Sequence, residues 1–253
     1  MKVVAFDLEI SNELPDGGGD WQQHAPLGIS CAATLDSDGN LRLWHGGVLQ
    51  VDSMRDAYPP QMSPGECREL TQFLVEMQAE GYTVVTWNGL GFDLPVLAYE
   101  CGDVISHDNL RDLALAHIDV GFSMFCEKGF MVGLDTAARG MGVAGKIEGM
   151  HGDLAPVMWK QGKAAQEKVL EYVAQDVRAT LGVYEAVAES GYLRWISKSG
   201  RGCMWVPARK RITTVKEALA MPEPDTSWMS DPWPRSKFSG WMGGNDDAPH
   251  NER

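Results

Sequence analysis

Residues 2–10 read KVVAFDLEI, a compact and largely apolar stretch. Its apolar side chains, rich in β-branched residues, predict a strand, and two carboxylates interrupt it at Asp7 and Glu9. Side chains two positions apart on a strand point to the same face, so both carboxylates are expected on one side of a sheet. Because a buried unpaired carboxylate is costly, the pair predicts a cation or solvent beside it. A D-x-E spacing alone is a weak signal, since short motifs recur by chance.

The elements after this strand predict an α/β fold with a mixed sheet. Leu27–Leu35 and Leu41–Val51 are strand candidates, and the turn residues DSDGN between them favour a β-hairpin. A helix is predicted from Ser63 to Gly81, because Ser63 and Glu66 have capping-box spacing. The remaining predicted elements are a strand over Tyr82–Trp87 and helices over Leu94–Tyr99, Asn109–His117, Leu134–Met141 and Ala164–Ser190.

Two further patterns place a carboxylate or a phenol beside predicted elements. Asp93 lies in WNGLGFDLP (residues 87–95), directly after a predicted strand, where site residues often lie. Taken alone, Asp93 is better interpreted as a helix cap, because proline follows two residues later. Tyr172 and Asp176 are spaced i, i+4 on the long helix and share a face. The alternative for that pair is a solvated tyrosine and a surface aspartate.

The three patterns occur in a recognisable order, namely D-x-E on the first strand, N-G-x-x-F-D after a later strand and Y-x-x-x-D on a late helix. In this order the sequence resembles the DEDD superfamily of 3′–5′ exonucleases, in its tyrosine (DEDDy) subclass. FDLE and WNGLGFDLP are most similar to the exonuclease domains of family B DNA polymerases, although no polymerase domain is predicted to follow. The resemblance covers about residues 1–190 and implies a ribonuclease H-like fold with a mixed five-stranded sheet flanked by helices.

This resemblance implies a site for two divalent cations, Mg²⁺ or Mn²⁺, with four carboxylate ligands: Asp7, Glu9, Asp93 and Asp176. It implies that Tyr172 orients the attacking water, and that Ile10 and Asn88 line the pocket for the terminal nucleotide. Asp119 resembles a secondary acidic position near such sites, with a structural acid as the alternative. The implied partner is nucleic acid with a free 3′ end, DNA favoured, single-stranded or 3′-tailed. The products would be nucleoside monophosphates.

Composition excludes several classes of protein. The chain has 253 residues with 22 Lys and Arg against 35 Asp and Glu, so its net charge of −13 excludes a protein that coats nucleic acid by charge alone. Five cysteines without a C-x-x-C favour reduced thiols, and neither a signal peptide nor a membrane span is expected, which together predict a cytoplasmic protein. The sequence has no HExxH, GxSxG or Walker A motif, which disfavours zinc hydrolases, serine hydrolases and P-loop enzymes.

A change in composition near Gly191 predicts an exonuclease domain over 1–191 and a C-terminal extension over 192–253. Seven basic residues and no acid occur between Arg194 and Lys216, followed by a Pro/Trp-rich stretch at 221–241 and a frayed tail at 242–253.

Basic and aromatic residues alternate in this extension, as in proteins that bind single strands. Arg209, Lys210 and Arg211 are therefore candidates for phosphate contact. Trp195 and Trp205 would either stack on bases or pack the extension onto the domain. Two alternatives to the exonuclease also remain open: a nucleic-acid-binding module with little catalysis, and a phosphodiesterase of small nucleotides.

Overall fold

A computed structural model describes residues 1–15, 21–47, 57–145 and 152–243. Two predicted features lie partly outside the described residues: the second hairpin strand, at 48–51, and the C-terminal tail, from 244 onward.

Within the described residues, the central sheet is mixed and has five strands in the order β3-β2-β1-β4-β5. The strands are β1 (Val3–Ile10), β2 (Ile29–Asp36), β3 (Leu41–His45), β4 (Thr83–Thr86) and β5 (Ile118–Asp119). β1 is antiparallel to β2 and parallel to β4, so it runs through the middle of the sheet. A strand covered on both faces is expected to be a near-continuous apolar run, as the opening nine residues are. The predicted hairpin is confirmed, with β3 shorter than expected.

Helices cover both faces of this sheet. In chain order they are α1 (Pro64–Ala79), α2 (Asp93–Cys101), α3 (Val104–Ala116), α4 (Val120–Lys128), α5 (Leu134–Met141), α6 (Ala155–Trp159) and α7 (Lys163–Ser190). The capping box predicted for α1 is present, with Ser63 and Glu66 each bonding the other's backbone. α7 packs along β1 and β2. In the part of the chain that is described, no helix is long and apolar enough to cross a membrane.

Buried side chains form a core on each face of the sheet. The α1-side core includes Leu8 of β1 and Leu74 of α1, and the α7-side core includes Ala5 of β1 and Val177 of α7. β1 therefore alternates between the cores residue by residue, as period-2 geometry requires. This alternation fixes which face receives each carboxylate of the strand.

The C-terminal extension contributes side chains to both cores. It forms β6 (Leu193–Ile196), β7 (Gly202–Trp205), α8 (Val215–Leu219), α9 (Ser236–Ser239) and a 3₁₀ turn at Gly240–Met242. Trp195 and Trp205 are buried in the α7-side core, and Phe238 is buried in the α1-side core. Both tryptophans thus take the packing role, and their rings are not offered to a ligand. The boundary at residue 191 stays a prediction.

Candidate active site

Asp7 and Glu9 lie on the face of β1 that is turned toward α7. Ala5 packs in the α7-side core while Leu8 packs in the α1-side core. Since side chains two positions apart share a face, Asp7 and Glu9 follow Ala5 to the α7 side. The sequence expectation of one face for both carboxylates is met by this register.

α7 brings a third carboxylate to the same place. Tyr172 and Asp176 are 0% and 2% exposed, so the alternative of a solvated tyrosine and a surface aspartate is wrong. One oxygen from each of Asp7, Glu9 and Asp176 lies within 4.8 Å of the others. The two carboxylates of β1 and the carboxylate of Asp176 on α7 therefore converge on one point between these two elements.

Asp93 reaches the same region from α2, the helix that follows β4. It is the first residue of α2, with Phe92 at the N-cap position, so Asp93 does not occupy the cap that the alternative interpretation gave it. Its Oδ1 accepts a hydrogen bond of 3.1 Å from the backbone N–H of Leu8. That bond ties the start of α2 to β1, one residue from each of the strand's carboxylates.

A cavity of about 480 Å³ joins these groups. Its walls include the five residues predicted to be catalytic: Asp7, Glu9, Asp93, Tyr172 and Asp176. Ile10 and Asn88, predicted to contact the terminal nucleotide, line it as well. Sequence reasoning missed Trp87 and Phe92 in the wall, although both lie inside the motif that located Asp93. It also missed Glu13 and Asp153, for which no motif gave a signal.

The cavity is strongly acidic. Six carboxylate residues line it and, among the described lining residues, there is no lysine or arginine. Glu13 at the cavity is paired with Lys160, whose ammonium lies 2.8 Å from its Oε1. Clustered carboxylates repel one another, and Glu9, Asp93 and Asp176 are also buried, so a bound cation would stabilise the arrangement.

The donor set fits a hard divalent metal ion. The three clustered ligand atoms are carboxylate oxygens, which Mg²⁺, Ca²⁺ and Mn²⁺ prefer. Cys31 lies opposite Glu9 in the β1–β2 register. Burial, followed by the charge of Glu9 and that of Asp7, raises the pKa of the Cys31 thiol well above its usual range. Cys31 is not among the residues whose ligand atoms meet, so the cluster of the described residues consists of carboxylates alone.

Asp119 supports the turn that carries Asn88. Its carboxylate caps α4 through the Phe122 N–H and also accepts the N–H groups of Asn88 and Leu90, each at 2.9 Å. Asn88 has φ +68°, a left-handed conformation that asparagine tolerates better than most residues. Asp119 is fully buried and does not line the cavity. The structure therefore gives it the role of holding a backbone turn.

Replacing Asp119 by asparagine is expected to lower the free energy of unfolding by about 2–4 kcal/mol. Hydrogen bonds to a buried charged acceptor contribute about 1.5–3 kcal/mol each, and the amide would also point a donor at backbone N–H groups. Urea unfolding of the variant measures the loss. Asp108→Asn, on the exposed side of α3, is the control and should change stability by less than about 0.5 kcal/mol. A variant as stable as the wild type would contradict this role.

The basic residues predicted to reach phosphate lie elsewhere. Among the described cavity residues none is Arg209, Lys210 or Arg211. Arg209 and Arg211 pair with Glu217, at 3.2 Å and 2.9 Å. The hydrogen bond from Arg211 is the main cause that lowers the pKa of Glu217 to about 2. Both arginines thus form ion pairs with Glu217 of α8, which lies just beyond the acid-free stretch.

Arg211 also lies beside a part of α7 that is distant from the carboxylates. Arg211 lies close enough to Tyr184 to oppose the rise in the pKa of that phenol, which burial causes. Tyr184 follows Asp176 by eight residues, or about 12 Å along a helix axis. The structure therefore does not bring these predicted substrate-binding residues to the cavity.

Residues 33–188 match the family described as the RNase_H superfamily. This span is more than half of the chain and includes Asp93, Tyr172 and Asp176, while Asp7 and Glu9 precede it. The chain belongs to the RNase H superfamily. The predicted ribonuclease H-like fold, with its mixed five-stranded sheet flanked by helices, is thereby confirmed for the described residues.

Comparison of this RNase H superfamily member with solved structures found the family B DNA polymerase from the hyperthermophilic archaeon Pyrobaculum calidifontis. The match has a TM-score of 0.49 and 21% sequence identity, and it covers 74% of this chain. It spans 24% of the polymerase chain, about a quarter of its length. Comparison with curated proteins found no match.

Proposed function

We propose that this protein is a metal-dependent 3′–5′ exonuclease of the tyrosine (DEDDy) subclass. The observation that carries the proposal is the convergence of Asp7, Glu9 and Asp176 within 4.8 Å, in a cavity that Asp93 and Tyr172 also line. Membership of the RNase H superfamily supports a nuclease. The proposed substrate is nucleic acid with a free 3′ end, DNA favoured, single-stranded or 3′-tailed.

In this proposal four carboxylates hold two divalent cations, Mg²⁺ or Mn²⁺: Asp7, Glu9, Asp93 and Asp176. When bound, such ions activate the attacking water and stabilise the leaving 3′-oxygen. The cavity itself offers six carboxylates and no basic side chain among its described walls, so a phosphodiester meets repulsion there unless cations are present. Binding of a strand end is therefore expected to depend on metal.

The protein's own side chains supply orientation. Tyr172 is fully buried on α7 and lines the cavity, so packing restricts its side chain, and in this proposal its hydroxyl orients the attacking water. A free phenol has a pKa near 10, which makes an orienting role more suitable than that of a general base at neutral pH. Asn88 and Ile10 line the same cavity. In this proposal they contact the terminal nucleotide.

Two aromatic side chains, those of Trp87 and Phe92, form an apolar part of the wall of the same cavity. Trp87 is fixed by a hydrogen bond of 3.1 Å from its Nε1 to the carbonyl of Val132. Phe92 is packed edge-on against Trp21, with ring centroids 5.6 Å apart. Rigid aromatic faces next to a phosphate-cleaving centre are suited to an unpaired base, since base stacking on such rings tolerates any sequence.

The decisive experiment compares end-labelled strands with Mg²⁺, Mn²⁺ or EDTA. A 3′–5′ exonuclease releases label from 3′-labelled DNA at once as a mononucleotide, whereas 5′-labelled DNA shortens step by step. Running single-stranded, duplex and 3′-tailed DNA and RNA in parallel identifies the substrate class. Binding of strands without cleavage would favour a binding module instead. Cleavage only of small nucleotides would favour a phosphodiesterase.

Metal binding is expected to raise the melting temperature of the wild type. A ligand at about 100 times its Kd stabilises a protein by about 2.7 kcal/mol, which for a chain of this size is a shift of several degrees. Differential scanning fluorimetry with MgCl₂ or MnCl₂ against EDTA measures it. Asp176→Asn should lose most of the shift, while Asp112→Asn, on the exposed side of α3, should keep it. An equal shift in Asp176→Asn would contradict the ligand assignment.

A further inference from the structure

The turn Asn88–Gly91 is held by side chains from distant segments of the chain. Asp119 accepts the N–H groups of Asn88 and Leu90, and Thr86 Oγ1 accepts the N–H of Gly89 at 3.2 Å. These bonds secure the donor groups of the turn from the β4–β5 side. The carbonyls of Asn88 and Gly89 accept the nearby backbone N–H groups of Gly91 and Leu94, whereas the carbonyls of Leu90 and Gly91 are bound from elsewhere.

Two tryptophans bind those carbonyls. Trp241 Nε1 donates to the carbonyl of Leu90 at 2.9 Å, and Trp21 Nε1 donates to that of Gly91 at 3.0 Å. Phe238 fills the space beside Gly91, where an added Cβ would lie 2.8 Å from its ring. The C-terminal segment 235–243 is thus packed directly onto the turn that connects β4 to α2.

Arg235 anchors this C-terminal segment. Its side chain is 9% exposed, and its guanidinium donates to four backbone carbonyls: Leu219, Met221, Pro222 and Cys126. The last of these belongs to α4. Since a guanidinium bonded to several carbonyls has little freedom, Trp241 approaches Leu90 from a fixed base.

We infer that Trp241 is a positioning residue that holds the Asn88 turn in the geometry needed to bind the terminal nucleotide. The inference rests on the proposed function, in which Asn88 contacts that nucleotide at the cavity. Asp93 has an anchor of its own in the N–H of Leu8, 3.1 Å away. Loosening the turn should therefore displace Asn88 more than Asp93, and the cost should fall on substrate binding more than on the chemical step.

Trp241→Phe tests this inference because it keeps an aromatic ring and removes the indole N–H. The KM for a 3′-tailed DNA oligonucleotide should rise about fivefold, the size of one hydrogen bond, while kcat changes by less than about twofold. Trp228→Phe is the matched control, since it also removes an indole N–H bound to a carbonyl, that of Asp225. Its KM and kcat should equal those of the wild type.

Amide hydrogen exchange gives a readout that needs no activity. In Trp241→Phe, but not in Trp228→Phe, peptides that cover residues 87–92 should exchange faster, and by a larger factor than peptides from the rest of the chain. Unchanged exchange and unchanged KM in Trp241→Phe would overturn the inference. A loss that falls wholly on kcat would overturn it as well.

The failure of the proposed function is distinguishable from the failure of this inference. If the wild type cleaves no nucleic acid, the exonuclease proposal fails, and exchange of residues 87–92 still decides whether Trp241 holds the turn. If Trp241→Phe does not fold, Phe238→Leu is tested instead, because it removes the ring that packs beside Gly91 in the same turn. The same measurements of hydrogen exchange, KM and kcat apply to it. Faster exchange is then expected at the turn, and its absence counts against the inference.

Discussion

Asp7→Asn should abolish Mg²⁺-dependent release of nucleotides, lowering the rate by at least about a thousandfold. A metal ion's stabilisation of developing charge contributes several kcal/mol to a transition state, and each 1.36 kcal/mol is a factor of about ten. Asp7 lies in β1 with a carboxylate oxygen within 4.8 Å of those of Glu9 and Asp176, so its loss affects the centre of the proposed ligand set. The fold should persist, because asparagine has the same shape.

The measurement is the rate of mononucleotide release at saturating Mg²⁺, with the melting temperature in EDTA as the test of folding. Asp112→Asn removes one charge from an exposed site on α3 and should retain full activity. In EDTA, Asp7→Asn should be at least as stable as the wild type, because one member of a repelling cluster is gone. Activity above about a tenth of the wild-type rate would remove Asp7 from the site.

Tyr172→Phe should lower kcat by about a hundredfold while leaving metal binding intact. The phenol ring is completely buried on α7, so phenylalanine preserves the packing and removes only the hydroxyl. Loss of a group that orients a reactant costs about two orders of magnitude. The rise in melting temperature on adding Mg²⁺ should equal that of the wild type, since no ligand has changed.

Tyr184→Phe is the matched control for this prediction. It removes a hydroxyl from the same helix, three turns farther on, where the phenol contacts the sulfur of Met1. Its kcat should match the wild type. If Tyr172→Phe were equally active, the assignment to the tyrosine subclass would fail, while the role of the carboxylates would remain open to the Asp7 test.

Local sequence was sufficient for the elements whose signals are strong. β1 is a buried apolar run, and α1 begins where Ser63 and Glu66 form a capping box, so both were predictable to within a residue or two. β5 has two residues and gave no pattern. α4 was missed because it is buried on nearly every side, from Val120 to Cys126, and has no polar face to reveal a period.

The meeting of Asp7, Glu9, Asp93 and Asp176 at one cavity was predictable because motif order carries long-range information that spacing alone lacks. Asp93 taken alone favoured a helix cap, yet it lies in the cavity with Asp7 and Asp176. The pair Arg209 and Arg211 shows the opposite case. A stretch without acids looked like a free basic surface, and Glu217, one residue beyond its end, pairs with both arginines.

The supports of the site could not be read from sequence at all. These supports are the bond from Leu8 to Asp93, the three bonds accepted by Asp119 and the bond from Trp241 to Leu90. They join residues that are 29 to 151 positions apart, except for the Asp119 bond that caps α4. They involve backbone groups, which every residue has. Only the tertiary arrangement determines which backbone group a given side chain reaches.

The contact between Trp241 and Leu90 has a consequence for the order of assembly. A nascent chain presents Asp7 early, but Trp241 is made 151 residues after the carbonyl that it binds. Until that segment has left the ribosome, the turn lacks both the indole hydrogen bond and the Phe238 ring beside Gly91. The turn therefore reaches its final geometry only after Phe238 and Trp241 have been synthesised and have folded back onto it.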